Sequence, residues 1–194
     1  MIPKPIDPTP LKVLYTDPLA SLHLSDRLGH YLRKLPSDTR IAVVCLGTDR
    51  STGDALGPLA GTALSKYRSP LFDLYGTLEE PVHALNLDPT LERMRQSSRN
   101  PFVIGVDACL GKSASVGSIM LGEGPIHPGA GVNKKLTPVG DVHVSGVVNI
   151  GGFMDHLVLQ STRLHVVMSM ADVIARGLFG AIRMHANTRK EAAR

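Results

Sequence analysis

Short apolar runs alternate with amphipathic stretches along most of the chain. Ile41-Ala42-Val43-Val44-Cys45-Leu46 and Phe102-Val103-Ile104-Gly105-Val106 are nearly continuous apolar runs, rich in β-branched residues and bounded by turn residues. That pattern predicts strands buried on both faces. Residues 116–121 and 142–150 read as further strands, and 72–78 as a short one. Between them the spacing turns helical. Leu22, Leu28, Tyr31, Leu32 and Leu35 predict a helix over about 18–35, and Leu56, Leu59, Ala60, Ala63 and Leu64 one over about 54–67. Asn86-Leu87-Asp88-Pro89 carries cap chemistry and a proline placed to open a helix running to about Ser98. Two helical patterns close the chain, over about 153–159 and from Ser161-Thr162 through Leu164, Val167, Ala171, Ile174, Leu178 and Ile182.

Strands alternating with helices predict βαβ units. The expected fold is α/β, a three-layer sandwich with a mostly parallel central sheet and helices on both faces. Residues 1–37 read as a proline-rich extended arm and a helix packing on the domain, 38–185 as a single α/β domain, and 186–194 as a basic tail with Arg189, Lys190 and Arg194. No internal repeat or low-complexity segment interrupts this pattern.

Composition narrows the function classes. The chain has 194 residues, 43% hydrophobic and 20% charged, which suits one globular domain and excludes a disordered or collagenous chain. Its two cysteines, Cys45 and Cys109, sit in apolar stretches, as small core residues of a protein from a reducing compartment do. Aromatics are 4% and Trp is absent, which argues against a stacking platform for single-stranded nucleic acid. No continuous apolar run reaches membrane-span length, and Met1-Ile2-Pro3-Lys4-Pro5 opens no apolar signal region. The expectation is a cytoplasmic protein with neither membrane nor direct nucleic-acid partner. The formal charge of +4 would favour encounter with an acidic partner.

In α/β sheets, sites gather at the carboxyl ends of the strands. Two such ends carry acids here: Gly47-Thr48-Asp49-Arg50-Ser51-Thr52-Gly53-Asp54 follows the first buried run, and Asp107 closes the second. If both strands are central and parallel, Asp54 and Asp107 share a crevice. Mutual repulsion would then leave one proton between them, giving a base and an acid that can activate water against an amide. Asp54 equally suits a helix cap, and Asp49 a turn. The loop is not a P-loop, because Asp54 stands where that motif has lysine. No G-x-S-x-G is present, and a carboxylate two residues from Cys109 opposes its thiolate. A divalent metal on Asp54 and Asp107 is the rival chemistry. Among the eight histidines His127 and His143 are best placed to join them, but no ligand spacing supports that set. The long loop Gly122–Pro138 suits either a rim or lid over the site or an excursion covering a sheet edge.

Four segments carry a family resemblance: Cys45-Leu46-Gly47-Thr48-Asp49-Arg50-Ser51-Thr52-Gly53-Asp54-Ala55-Leu56-Gly57-Pro58, Val103-Ile104-Gly105-Val106-Asp107-Ala108, Ile126-His127-Pro128-Gly129-Ala130-Gly131-Val132-Asn133-Lys134-Lys135 and Tyr75-Gly76-Thr77-Leu78-Glu79-Glu80-Pro81. Over about residues 38–180 the chain resembles the YyaC-type sporulation proteins, relatives of the bacterial spore germination protease. The resemblance implies the three-layer fold of hydrogenase-maturation proteases and an atypical aspartic-type peptidase site. Its catalytic pair would be Asp54 and Asp107, in a cleft bordered by Gly47, Thr48, Asp49 and His127. It implies no required cofactor, or alternatively a divalent metal such as nickel, held by two acids and a histidine in the maturation proteases. It further implies a protein substrate such as small acid-soluble spore proteins, in a sporulating cell or spore core, and leaves room for an oligomer. The germination protease is about twice this length, so its activation and tetramer surfaces are largely missing here. The other readings kept open are a non-catalytic sporulation protein that binds a partner and a metal-dependent maturation-type endopeptidase.

Overall fold

A single sheet organises the chain. In the computed structural model, which describes residues 10–36, 38–128, 136–152 and 154–192, its strands are β1 (Leu11–Leu14), β2 (Ile41–Cys45), β3 (Asp73–Tyr75), β4 (Phe102–Gly111), β5 (Ser118–Glu123) and β6 (Val142–Ile150). Their spatial order is β1-β5-β6-β4-β2-β3. The pairs β2–β3, β2–β4 and β4–β6 are parallel, while β5 runs antiparallel to both β1 and β6. The two longest apolar runs are adjacent interior strands, paired Ile41↔Phe102 through Cys45↔Val106. The helices are α1 (Ala20–Leu32), α2 (Leu56–Ser65), α3 (Leu87–Ser97), α4 (Asp155–Gln160) and α5 (Leu164–Ala192).

Strand β2 shows how the layers are made. Alternate residues point to opposite faces. Ile41, Val43 and Cys45 join the large core beneath α1, α2 and α5. Ala42, Val44 and Leu46 join a smaller core with Leu87, Leu91 and Met94 of α3. The layers are therefore unequal: three helices cover one face, and α3 covers part of the other.

Helix α5 is long and apolar enough, by length and composition, to cross a membrane. Its Val167, Met170, Ile174, Leu178 and Ile182 are instead buried against α1, α2 and the sheet, the packing of a core helix in a soluble α/β protein. The helix also runs on to Ala192, well beyond the periodic stretch that ended at Ile182. At the other terminus, Leu11–Leu14 of the proline-rich arm pairs as an edge strand with β5. Residues 1–9 of that arm, 129–135 of the Gly/Pro loop, Phe153 and 193–194 of the tail lie outside the described residues.

Gly57 lets α2 start directly against the end of β2. A Cβ there would overlap the Leu46 carbonyl oxygen, which is backbone and cannot swing aside. We expect Gly57→Ala to destabilise the fold by about 2–4 kcal/mol, lowering Tm by roughly 5–15 °C. Gly152→Ala, where an added Cβ meets nothing within 4 Å, should change Tm by no more than about 2 °C. Thermal unfolding followed by circular dichroism checks both.

Candidate active site

Strand β4 outruns the cover on its face. Val106 belongs to the large core, so Asp107, one residue on, turns to the side of α3. There it lines a cavity together with Leu46, Val82, Leu87 and Ile126 of the small core. Its register partner on β6 is Ser145, which a parallel pair sets beside it on the same face. Strand β2 ends at this level, and the Leu46 amide donates to the Val106 carbonyl at 2.7 Å.

The chain leaving β2 folds back on itself. The Gly47 amide donates to the Val82 carbonyl (2.8 Å), the Thr48 amide to the Asp54 carbonyl (3.2 Å) and the Gly53 amide to the Leu159 carbonyl (2.8 Å). Gly47 adopts φ +139°, and a Cβ on it would overlap the Asp54 carbonyl oxygen. Only glycine permits both this backbone conformation and this approach. The loop thus closes with Asp54 half-buried above the sheet. Helix α2 has Ala55 at its N-cap and no side-chain cap hydrogen bond, so Asp54 is not the cap that its position allowed.

Asp54 and Asp107 line one cavity of about 620 Å³. Gly47, Thr48 and the exposed His127 line it too. Asp49 does not; it is exposed in the turn ahead of Asp54. His143, placed by β6, also faces the cavity, and its Nδ1 lies 3.0 Å from the Gly124 carbonyl. Cys109 is cavity wall rather than core. Burial and the Asp107 charge push its thiol up to about 11, which leaves it a poor nucleophile. Cys45 is fully buried.

Four polar cavity residues were not singled out from the sequence: His83, Ser145, Asp155 and His156. Ser145 was legible in principle, since the alternation that buries Val142 and Val144 places His143 and Ser145 together on the other face. His83 sits on the segment ahead of α3 and Asp155 and His156 on the first turn of α4, and only long-range packing brings them to the cavity.

Burial dominates the electrostatics. Desolvation pushes Asp107 up to about 7, against the opposing hydrogen bond its Oδ1 accepts from the Ala108 amide (2.8 Å); the Asp54 charge adds a further, smaller push upward. Asp54 is also raised, first by burial, with the Ser51 hydroxyl working the other way. Repulsion between the two acids is therefore present but subordinate. Near neutral pH this cavity holds one carboxyl poised to give or take a proton and a second with a lower affinity for it. Among the described residues no three His, Cys, Asp or Glu side chains are grouped to hold a metal ion.

Every residue lining this cavity falls within the span that a family model matches. A family model described as "Protein of unknown function (DUF1256)" matches residues 12–177, and the chain belongs to that family. It is 51% identical over 166 residues to a Bacillus subtilis (strain 168) protein named "Uncharacterized protein YyaC", covering 86% of this chain and 80% of that one. Its fold is similar to the crystal structure of a NiFe hydrogenase maturation protease HycI from Thermococcus kodakarensis KOD1, with a TM-score of 0.51 over 74% of this chain and 92% of that one. At 18% identity the likeness establishes the fold alone, an α/β architecture with a mostly parallel sheet.

Two outcomes follow from burial being the larger cause. A folded-state pKa near 7 against an unfolded value near 3.9 means that stability is full below about pH 4 and is lost as pH rises through about 7. Asp107→Asn should therefore stabilise the protein at pH 8 by on the order of 2–4 kcal/mol, raising Tm by roughly 5–10 °C. The gain should vanish at pH 4; pH-dependent calorimetry reads it. In Asp54→Asn, carboxylate-detected NMR should find Asp107 still titrating well above 3.9. A return to an ordinary value would make repulsion the principal cause instead.

Proposed function

We propose that this DUF1256 member is an endopeptidase of aspartic type, acting on a protein substrate in the cytoplasm of sporulating cells. The observation that carries the reading is the pair itself: two carboxyl groups with raised proton affinity facing one cavity, Asp54 on the loop that follows β2 and Asp107 on β4 just past its last pairing with β2. The resemblance to the germination protease and the peptidase-like fold support it.

The unequal environments of the acids assign their roles. Asp107, with the higher proton affinity, enters the reaction protonated, and Asp54 enters ionised. Asp54 takes a proton from water as the water oxygen bonds to the peptide carbonyl carbon, while Asp107 donates its proton to the carbonyl oxygen. Collapse of the tetrahedral intermediate breaks the C–N bond. The amine leaves with the proton held on Asp54, and Asp107 recovers the proton from the hydroxyl oxygen. Gly47, Thr48 and His127 border the space the peptide would occupy. This route draws on no cofactor.

The test is cleavage of a small acid-soluble spore protein by purified protein, with and without chelator. Asp54→Asn and Asp107→Asn should each reduce the rate by at least about 10²-fold while the fold persists in circular dichroism. The wild-type profile should fall as pH rises through about 7, where Asp107 loses its proton. Loss of activity on chelation alone would favour the metal-dependent reading. No cleavage under any condition would favour a partner-binding protein that keeps the fold.

A further inference from the structure

A second cavity, of about 250 Å³, opens at the opposite edge of the sheet, where β2 begins. Its apolar floor includes Ile41, Leu71 and Ile182, and its polar wall comes from His185 and Arg189 of α5. These two are one helical turn apart, so they share a face. His185 is only 7% exposed, and its Nε2 is buried with no hydrogen-bond partner. A buried ring nitrogen without a partner costs free energy and calls for a group that is not protein. Burial, and then the Arg189 charge, lower the His185 pKa.

The cations here are not equivalent. Arg40 also lines the cavity, but its fork is engaged. Nε and one terminal nitrogen donate to Asp73 at 2.8 and 2.6 Å, and the other to the Pro70 carbonyl at 2.6 Å. Arg189 donates only to the Thr39 carbonyl, at 3.4 Å, and has no carboxylate partner among the described residues. A partly buried guanidinium with free donors beside an imidazole lacking its partner suits a planar or tetrahedral oxyanion. Asp38 stands exposed on the rim, where solvent screens its repulsion of an anion.

We propose that the cavity between the start of β2 and the final turns of α5 binds a small oxyanion, a carboxylate or phosphate group, held by Arg189 and His185. The ring nitrogen donates to one oxygen and the guanidinium to the others, while Ile41, Leu71 and Ile182 take any apolar remainder. The site is separate from the Asp54–Asp107 cavity, and it stands or falls without the peptidase reading.

Titration of the full chain with sodium phosphate, sodium acetate or sodium chloride at matched ionic strength, followed by NMR of the His185 imidazole, tests the proposal. We expect a saturable shift with phosphate, acetate or both. Phosphate alone would assign a phosphoryl ligand, and acetate alone a carboxylate. Arg189→Gln should weaken binding by about tenfold or more, the loss expected for a charge-assisted hydrogen bond, and Arg189→Lys should restore part of it. Linear shifts equal to those with chloride, or unchanged saturation in Arg189→Gln, would overturn the proposal.

Discussion

The parallel pairing of β2 with β4 is the constraint on which the site depends. Its register ends at Cys45↔Val106, so β2 stops one residue before Asp107 while β4 runs on to Gly111 beside β6. The loop that closes with Asp54 and the strand that carries Asp107 are thereby forced together. Both strands are buried on two faces, so neither can slip by one residue without moving apolar side chains out of both cores. The placement of the two acids is thus locked by hydrophobic burial some distance from the carboxyl groups.

The second determinant is the unequal cover of the sheet. Helices α1, α2 and α5 bury one face along its length, whereas α3 and the segments around Val82, Ile126 and Val139 cover only part of the other. The uncovered end of β4 and β6 becomes the cavity. Protein packed around that space withholds water from Asp107, and that desolvation, more than the neighbouring charge, moves its titration towards neutrality. The same arrangement opposes stability, because a carboxylate held away from water is costly when ionised.

Glycine sets how closely the parts approach. Gly47 and Gly57 stand where a Cβ would overlap backbone oxygen of Asp54 and Leu46, respectively. They allow the loop and the start of α2 to close around the end of β2, and so bring Asp54 to the cavity rather than leaving it in solvent. Leu159 of α4 anchors the far side of the loop through the Gly53 amide.

The sequence by itself determined five of the six strands, the helices and the two acids. Those signals are local: β-branched apolar runs, helical spacing, and an acid at the end of each buried run can be read without knowing what lies opposite. The resemblance reached the same pair, Asp54 and Asp107, through its motifs. Only the tertiary structure decided that Asp54 leaves the cap of α2 empty, that Asp49 stays outside the cavity, and that Cys109 is wall rather than core. It also brought His83, Asp155 and His156 to the site and paired Leu11–Leu14 as an edge strand. Each of these depends on which segments meet across the sheet, a question of long-range register and packing that no local pattern encodes. The cause of the Asp107 shift belongs with them, because desolvation is set by everything that surrounds a carboxyl group and not by the residues on either side of it.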